Sequence, residues 1–243
     1  MTLIGAISVD EFTTSNTLEA AAVFFQISQG LPAALIQANL APTLDVCEVD
    51  VTQLGAPDPD DDLPDFDLPG DIDLSTVSAG DAIPIRSAGA ELTRLVRGSL
   101  FGLTAYTPEP ETAPGPMPAD LSASIPGDVF PAFANVALPT VETFSLTAPL
   151  GPVTPTSVFT WVPGTTPDTY ISLDVSSFDF INGTIVSVTC ELTDDGAFTF
   201  PATTQAAMGA DFESFGPASA LRDRTTTLQQ GNALLVLTTT SGD

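Results

Sequence analysis

The 243-residue chain has no histidine and no lysine, and only five arginines, two cysteines, two tyrosines and one tryptophan. Each shortage removes chemistry. Without His or Lys there is no Ser–His–Asp triad, Ser–Lys dyad, lysine Schiff base or P-loop lysine. Zinc, copper and haem sites draw on imidazole or clustered thiolates, and two isolated cysteines make a poor set. No glycine-rich phosphate loop follows a strand, and no βαβ alternation suggests a nucleotide fold. The Asp-Thr/Ser-Gly signature of aspartic proteases is missing too. No run of about 18 apolar residues is present to cross a membrane as a helix. The opening MTLIGAISVDEF lacks the basic flank and long apolar stretch of a leader, so an exported protein is expected to be numbered after a removed signal, with Met1 incidental.

What is abundant is acid. Thirty-one Asp and Glu face the five arginines, a net charge of −26. Such a surface repels nucleic acid and anionic membranes, so neither is expected as a partner. It suits saline surroundings, where the Debye length is roughly 3 Å at 1 M salt. It also suits the collection of divalent cations. In APDPDDDLPDFDLPGDIDLS, Asp58, Asp60, Asp62, Asp65 and Asp67 alternate in a D-x-D-x-D manner open to Ca2+ through oxygen ligands. The EF-hand glycine and final glutamate are lacking, and a plain acidic loop accounts for the same residues. Prolines 57, 59, 64 and 69 exclude a central strand or helix there. Ca2+ is the single cofactor the composition could serve; otherwise none is expected.

The remainder alternates short apolar runs with Pro and Gly breaks. Twenty-two prolines leave little room for long helices, and 43% hydrophobic residues argue against disorder. Residues 19–28 read as a strand, 32–39 as a short helix, and 44–52 as a strand bearing Cys47. Segments 82–87, 90–98 and 99–106 read as a meander broken at Gly89 and Gly98. Strand patterns follow at 121–127, 129–139, 142–148, 157–164 and 169–178. Residues 181–201 read as a hairpin about Asp195-Gly196, and 201–210 as a second short helix. RTTTLQQ and ALLVLTTT form a terminal hairpin about Gly231-Asn232. In SVFTWVPG, Phe159 and Trp161 share the larger apolar face and are predicted to be buried. Cys47 and Cys190 lie in two strand patterns, LDVCEVDV and IVSVTCELTD, and are expected to form one disulfide, two buried thiols being the alternative. Asp194-Asp195 reads as a turn. Arg94, Arg97, Arg222 and Arg224 are expected to pair locally with carboxylates or, alternatively, to attach an acidic neighbour. Asn182-Gly183-Thr184 fits a glycosylation acceptor and equally a turn.

In the second half a Pro-rich lead, FSLTAPLGPVTPTS, runs into FTWVPG, a strand, VSVTCELTDDGAFTFPA, a short helix and an edge hairpin. This order resembles the Ig-like β-sandwich of exported bacterial proteins of uncharacterised function, over about residues 19–240. The resemblance implies a core Trp near a Cys-bearing strand, and export; it implies no catalytic residue.

The expectation is an all-β, antiparallel Ig-like sandwich of about twelve strands with one or two short helices. Its parts are 1–56 (strand, helix, first Cys strand), an acidic loop at 57–80, and a main body at 81–243, with 19–56 belonging to that body in a one-domain reading. The expected role is a non-enzymatic extracellular or cell-surface structural protein: a surface-layer, filament or coat subunit that self-associates or holds other surface proteins. The segment AAAVFFQIS offers itself as a donated strand or as a core strand of its own chain. The alternatives are a secreted binding module, calcium-dependent or not, and a carboxylate-pair glycoside hydrolase, for which the aromatic platforms are few.

Overall fold

Alternation of apolar residues builds the structure from its first residues. In TLIGAISVDEF, Leu3, Gly5, Ile7, Val9 and Glu11 turn inward while Ile4, Ala6, Ser8 and Asp10 take the other face. The computed structural model describes residues 1–28, 36–37, 42–53, 74–100, 103–179 and 183–242. Within them lie seventeen strands, one helix described over its whole length and two helical residues at 36–37. The first ten strands are β1 (Thr2–Phe12), β2 (Thr17–Ile27), β3 (Val46–Gln53), β4 (Leu74–Thr76), β5 (Ala82–Ser87), β6 (Ala90–Leu100), β7 (Leu103–Glu109), β8 (Ala113–Pro114), β9 (Ser122–Ile125) and β10 (Phe133–Ala137). Then come β11 (Leu146–Ala148), β12 (Val158–Trp161), β13 (Thr169–Asp179), β14 (Thr184–Thr193), β15 (Ala197–Thr199), helix α1 (Ala202–Met208), β16 (Ser219–Gln230) and β17 (Ala233–Gly242).

Fourteen strands form one sheet in the order β10-β9-β5-β6-β7-β2-β1-β17-β16-β13-β14-β3, with β4 and β8 pairing β2. A second sheet is β11-β12-β15. The protein is therefore all-β, but not purely antiparallel. The first and last strands, β1 and β17, run parallel beside each other, Leu3 opposite Ala233 and Phe12 opposite Gly242. Strand β1 was not anticipated, although its alternation was legible. The segment AAAVFFQIS lies in β2, a central strand paired with β1, β4 and β7 of its own chain.

Two cores share one face of the large sheet. The register carries the inward face from Ile7 to Leu237, from Ser241 to Arg222, from Arg222 to Ile171, and from Leu173 to Cys190 and Cys47. The first core gathers Phe24, Ile83, Leu95, Tyr106, Phe130 and Leu235. Phe24 packs edge-on against Tyr106 at 5.4 Å and tilted on Phe130 at 4.7 Å. A Cβ on Gly5 would come within 2.6 Å of Phe24 and 2.9 Å of Phe130, so only glycine lets this aromatic pair rest on β1. The second core joins Phe159, Trp161, Ile171, Cys190, Phe200 and Met208, under the small sheet and α1. Phe159 and Trp161 are both buried and Val158 and Val162 both exposed, as their alternation predicts. Between the cores runs a polar seam: Ser241 donates to Glu11 at 2.7 Å, and Thr239 to the Pro139 carbonyl at 2.9 Å.

Two turn readings are corrected. Gly98 lies inside β6, opposite Ala105, rather than ending the strand. The Asp195-Gly196 turn exists, with Gly196 at φ 99°, but joins the two sheets instead of closing a hairpin. Strand β14 pairs with β13 and β3, whereas β15 pairs with β12. Turn chemistry sets the bend; core packing chooses the partner. The terminal hairpin β16–β17 stands as expected. Helix α1 lies in the second expected helical segment; of the first, only Ile36 and Gln37 fall among the described residues, and both are helical.

Candidate binding face

The face of the large sheet that carries neither core is built from the alternate positions. Register places Glu19, Asp10, Thr240, Asp223, Tyr170 and Thr193 in one row across β2, β1, β17, β16, β13 and β14. Directly opposed side chains in such a row lie about 5 Å apart. Ser172 donates to one oxygen of Asp223 at 2.5 Å and Thr240 to the other at 2.7 Å. Burial pushes the Asp223 carboxyl above the ordinary Asp range; these two hydroxyls pull it back, and the Asp174 charge adds to the rise. Asp10 is likewise raised by burial first, opposed by a hydrogen bond with Thr240, and raised further by Asp223 and Glu19. Thr240 thus stands between two carboxyls with a single hydroxyl proton to give. A proton held on Asp10 or Asp223 lets both be satisfied.

One row on, Glu191 has one oxygen, Oε2, buried without a hydrogen-bond partner among the described residues. Burial raises its affinity for a proton, and the charges of Asp223 and Asp174 raise it further. The phenol of Tyr170 is also raised, by burial ahead of Asp223 and Glu191, against a hydrogen bond with Thr225. Beside Tyr170 opens a cleft of about 460 Å³ among Gln37, Leu44, Asp168, Thr169 and Thr225. Gln37 closes one side by donating to Thr227 at 2.7 Å.

Asp10, Asp223 and Glu191 do not line this cleft, and both oxygens of Asp223 are taken by hydroxyls of the protein. The arrangement is a hydroxyl-bearing negative surface, with its acid capacity turned inward.

Among the described residues the large sheet ends at β3, against which helix α1 also lies. Cys47 and Cys190 face each other across β3 and β14 and are disulfide-bonded, with Cα atoms 4.1 Å apart. That spacing belongs to a non-hydrogen-bonded antiparallel pair. The main-chain N–H and C=O of Cys47, and by alternation of Val49, Val51 and Gln53, therefore point away from β14 to the open edge. Val46 and Val51 are 49% and 54% exposed. Glu48 and Asp50, opposite Thr189 and Ser187, stand on the acidic face, and Thr189 donates to Asp174 at 2.8 Å.

The sequence-expected site residues separate into three groups. Asp58, Asp60, Asp62, Asp65 and Asp67 lie outside the described residues, as does Asn182. Among the described residues, no group of three Asp, Glu, Cys or His is placed to hold a metal ion. Asp194 does more than turn the chain. It accepts from Arg222 at 2.8 Å, from the Trp161 indole at 2.8 Å and from the Gly164 amide at 3.1 Å. Arg222 is 3% exposed and donates also to the Val162 carbonyl, so it attaches nothing outside. Arg94 and Arg97 pair with Glu91 and Asp81 as expected, while Arg224 donates to the Thr140 carbonyl at 3.3 Å. Sequence reading missed Asp10 and Asp223; the signal was an acid at an alternate position of a strand, with nothing to say which acids become neighbours.

No known protein family, no curated protein and no solved structure matches this chain.

Proposed function

We propose that the chain is a non-catalytic extracellular structural protein that is held in a surface assembly through its sheet. The observation that carries this reading is the β3 edge, which no strand pairs among the described residues and which Cys47–Cys190 fastens in place. An edge strand free to fray cannot template a partner, whereas a stapled one offers a fixed row of donors and acceptors. The disulfide favours an oxidising setting, outside the cytosol. The finer kinship, an Ig-like sandwich of exported bacterial proteins, draws support from Trp161 and Cys190 sharing one core. The inward hydrogen bonding of Asp223 supports a non-catalytic role. The particle isolated from its source and sized by light scattering in physiological salt should be well above the 25.1 kDa chain. A lone 25 kDa species would overturn the assembly reading.

A second reading, a secreted binding module, is favoured by the cleft beside Tyr170. A protein that stays monomeric, with Tyr170 signals that shift on titration with a small ligand, would establish it instead.

A further inference from the structure

We propose that the open edge of β3 receives an extended segment of another protein, basic on one face and apolar on the other, as an added strand. This rests on the assembly reading and names the partner's chemistry.

The main chain supplies the first requirement. Four residues of the eight-residue strand, Cys47, Val49, Val51 and Gln53, turn their N–H and C=O groups outward, and among the described residues no strand pairs with them. An added strand would satisfy this row, as in other β-augmented complexes. Side chains supply the specificity. On one face an incoming strand meets Glu48 and Asp50, with Thr189 and Ser187 on β14 behind them and the exposed Val46 alongside. On the other it meets Val49, which packs partly on the second core, and the exposed Val51. Alternate residues of the partner must then be cationic and apolar, the period of a strand.

A second copy of this chain fits poorly. Two β3 edges laid antiparallel would set Glu48 and Asp50 against the same acids, and like charges directly opposed destabilise a sheet. The other end of the sheet, β10, is five uncharged residues long, with a register shift between Phe133 and Val136 and Asn135 at φ 52°. Such a bulge twists an edge away from further pairing. With −26 on this chain and no lysine, complementary charge must come from a different protein.

The probe is an acetylated, amidated octapeptide of alternating Lys and Val, titrated into the oxidised full chain and followed by calorimetry and amide hydrogen exchange. Saturable 1:1 binding is expected, with new protection at the amides of Cys47, Val49 and Val51 and none gained at Glu48 and Asp50. A peptide of the same composition in two blocks, four Lys then four Val, should bind at least about tenfold more weakly. Val51→Pro removes an outward N–H and no bond to β14, so it should abolish protection with the melting temperature nearly unchanged. The pair Glu48→Gln, Asp50→Asn should weaken binding and flatten its dependence on NaCl. Equal binding of the blocked peptide, or unaltered binding to Val51→Pro, would overturn the proposal, leaving only a diffuse attraction of cations. Peptide failure together with a large native particle removes this proposal alone; peptide failure together with a lone 25 kDa chain removes the assembly reading as well.

Discussion

Arg222 and Asp194, on β16 and just after β14, form a buried ion pair at 2.8 Å that also holds the single tryptophan. The guanidinium takes both carboxylate oxygens, lies 5.1 Å from the Phe144 ring, and reaches the carbonyls of Thr143 and Val162. Removing one partner strands the other charge in the core. Arg222→Met should therefore cost about 3–5 kcal/mol, measured by urea unfolding followed through Trp161 fluorescence. Trp161→Phe, which removes only the indole donor to Asp194 and some packing, should cost less. A loss under about 1 kcal/mol for Arg222→Met would show that the pair is already wet.

Acidification from neutral pH should stabilise the protein before it destabilises it. Asp10, Asp223 and Glu191 hold protons in the folded state above the pH at which the unfolded chain releases them. Unfolding then sheds protons, so stability falls as pH rises through their raised folded values. Glu142 and Asp120 act oppositely. Hydrogen bonds from Thr165 to Glu142, and from Ser87 to Asp120, hold these carboxyls below their usual range, and their contribution disappears as pH falls below about 4. A melting temperature highest in mildly acidic buffer is expected, with a flatter neutral limb in Asp223→Asn. A melting temperature that climbs steadily from pH 5 to 8 would refute it.

Reduction should loosen the β3 edge first. Cys47–Cys190 closes 143 residues, for which the chain-entropy model gives about 5 kcal/mol as an upper figure. Hydrogen exchange after dithiothreitol should show β3 amides losing protection while β1, β2 and β17 keep theirs. Simultaneous loss throughout would mean that the bridge supports the whole fold.

Gly5→Ala tests the centre of the sheet. Its new methyl meets the Phe24 and Phe130 rings, and such overpacking costs about 1–3 kcal/mol. An unchanged unfolding midpoint would mean that the aromatic pair yields freely.

Salt and calcium separate the two meanings of the acidic surface. NaCl should raise the melting temperature by screening the net charge of −26. Calcium bound at Asp58–Asp67 would add a further rise, lost in the Asp60→Asn, Asp62→Asn variant. No increment from calcium beyond ionic strength would remove the cation site.

Composition and alternation determined the β-rich fold class. Missing His and Lys excluded whole mechanisms, the prolines excluded long helices, and period-two patterns located β2, β5, β13 and the β16–β17 hairpin. The same periodicity turned Phe159 and Trp161 inward, because which face a strand residue takes is a local property of the pleat. Which strand lies beside it is not. Tertiary structure set β1 parallel to β17, sent β15 to the facing sheet, and brought Asp10 to Asp223 across the whole chain. It also moved Asp194 from a turn residue to the partner of Arg222. Each of these turns on register and layer packing, which are settled when two cores fill at once, and a strand's own sequence holds only half of any pair.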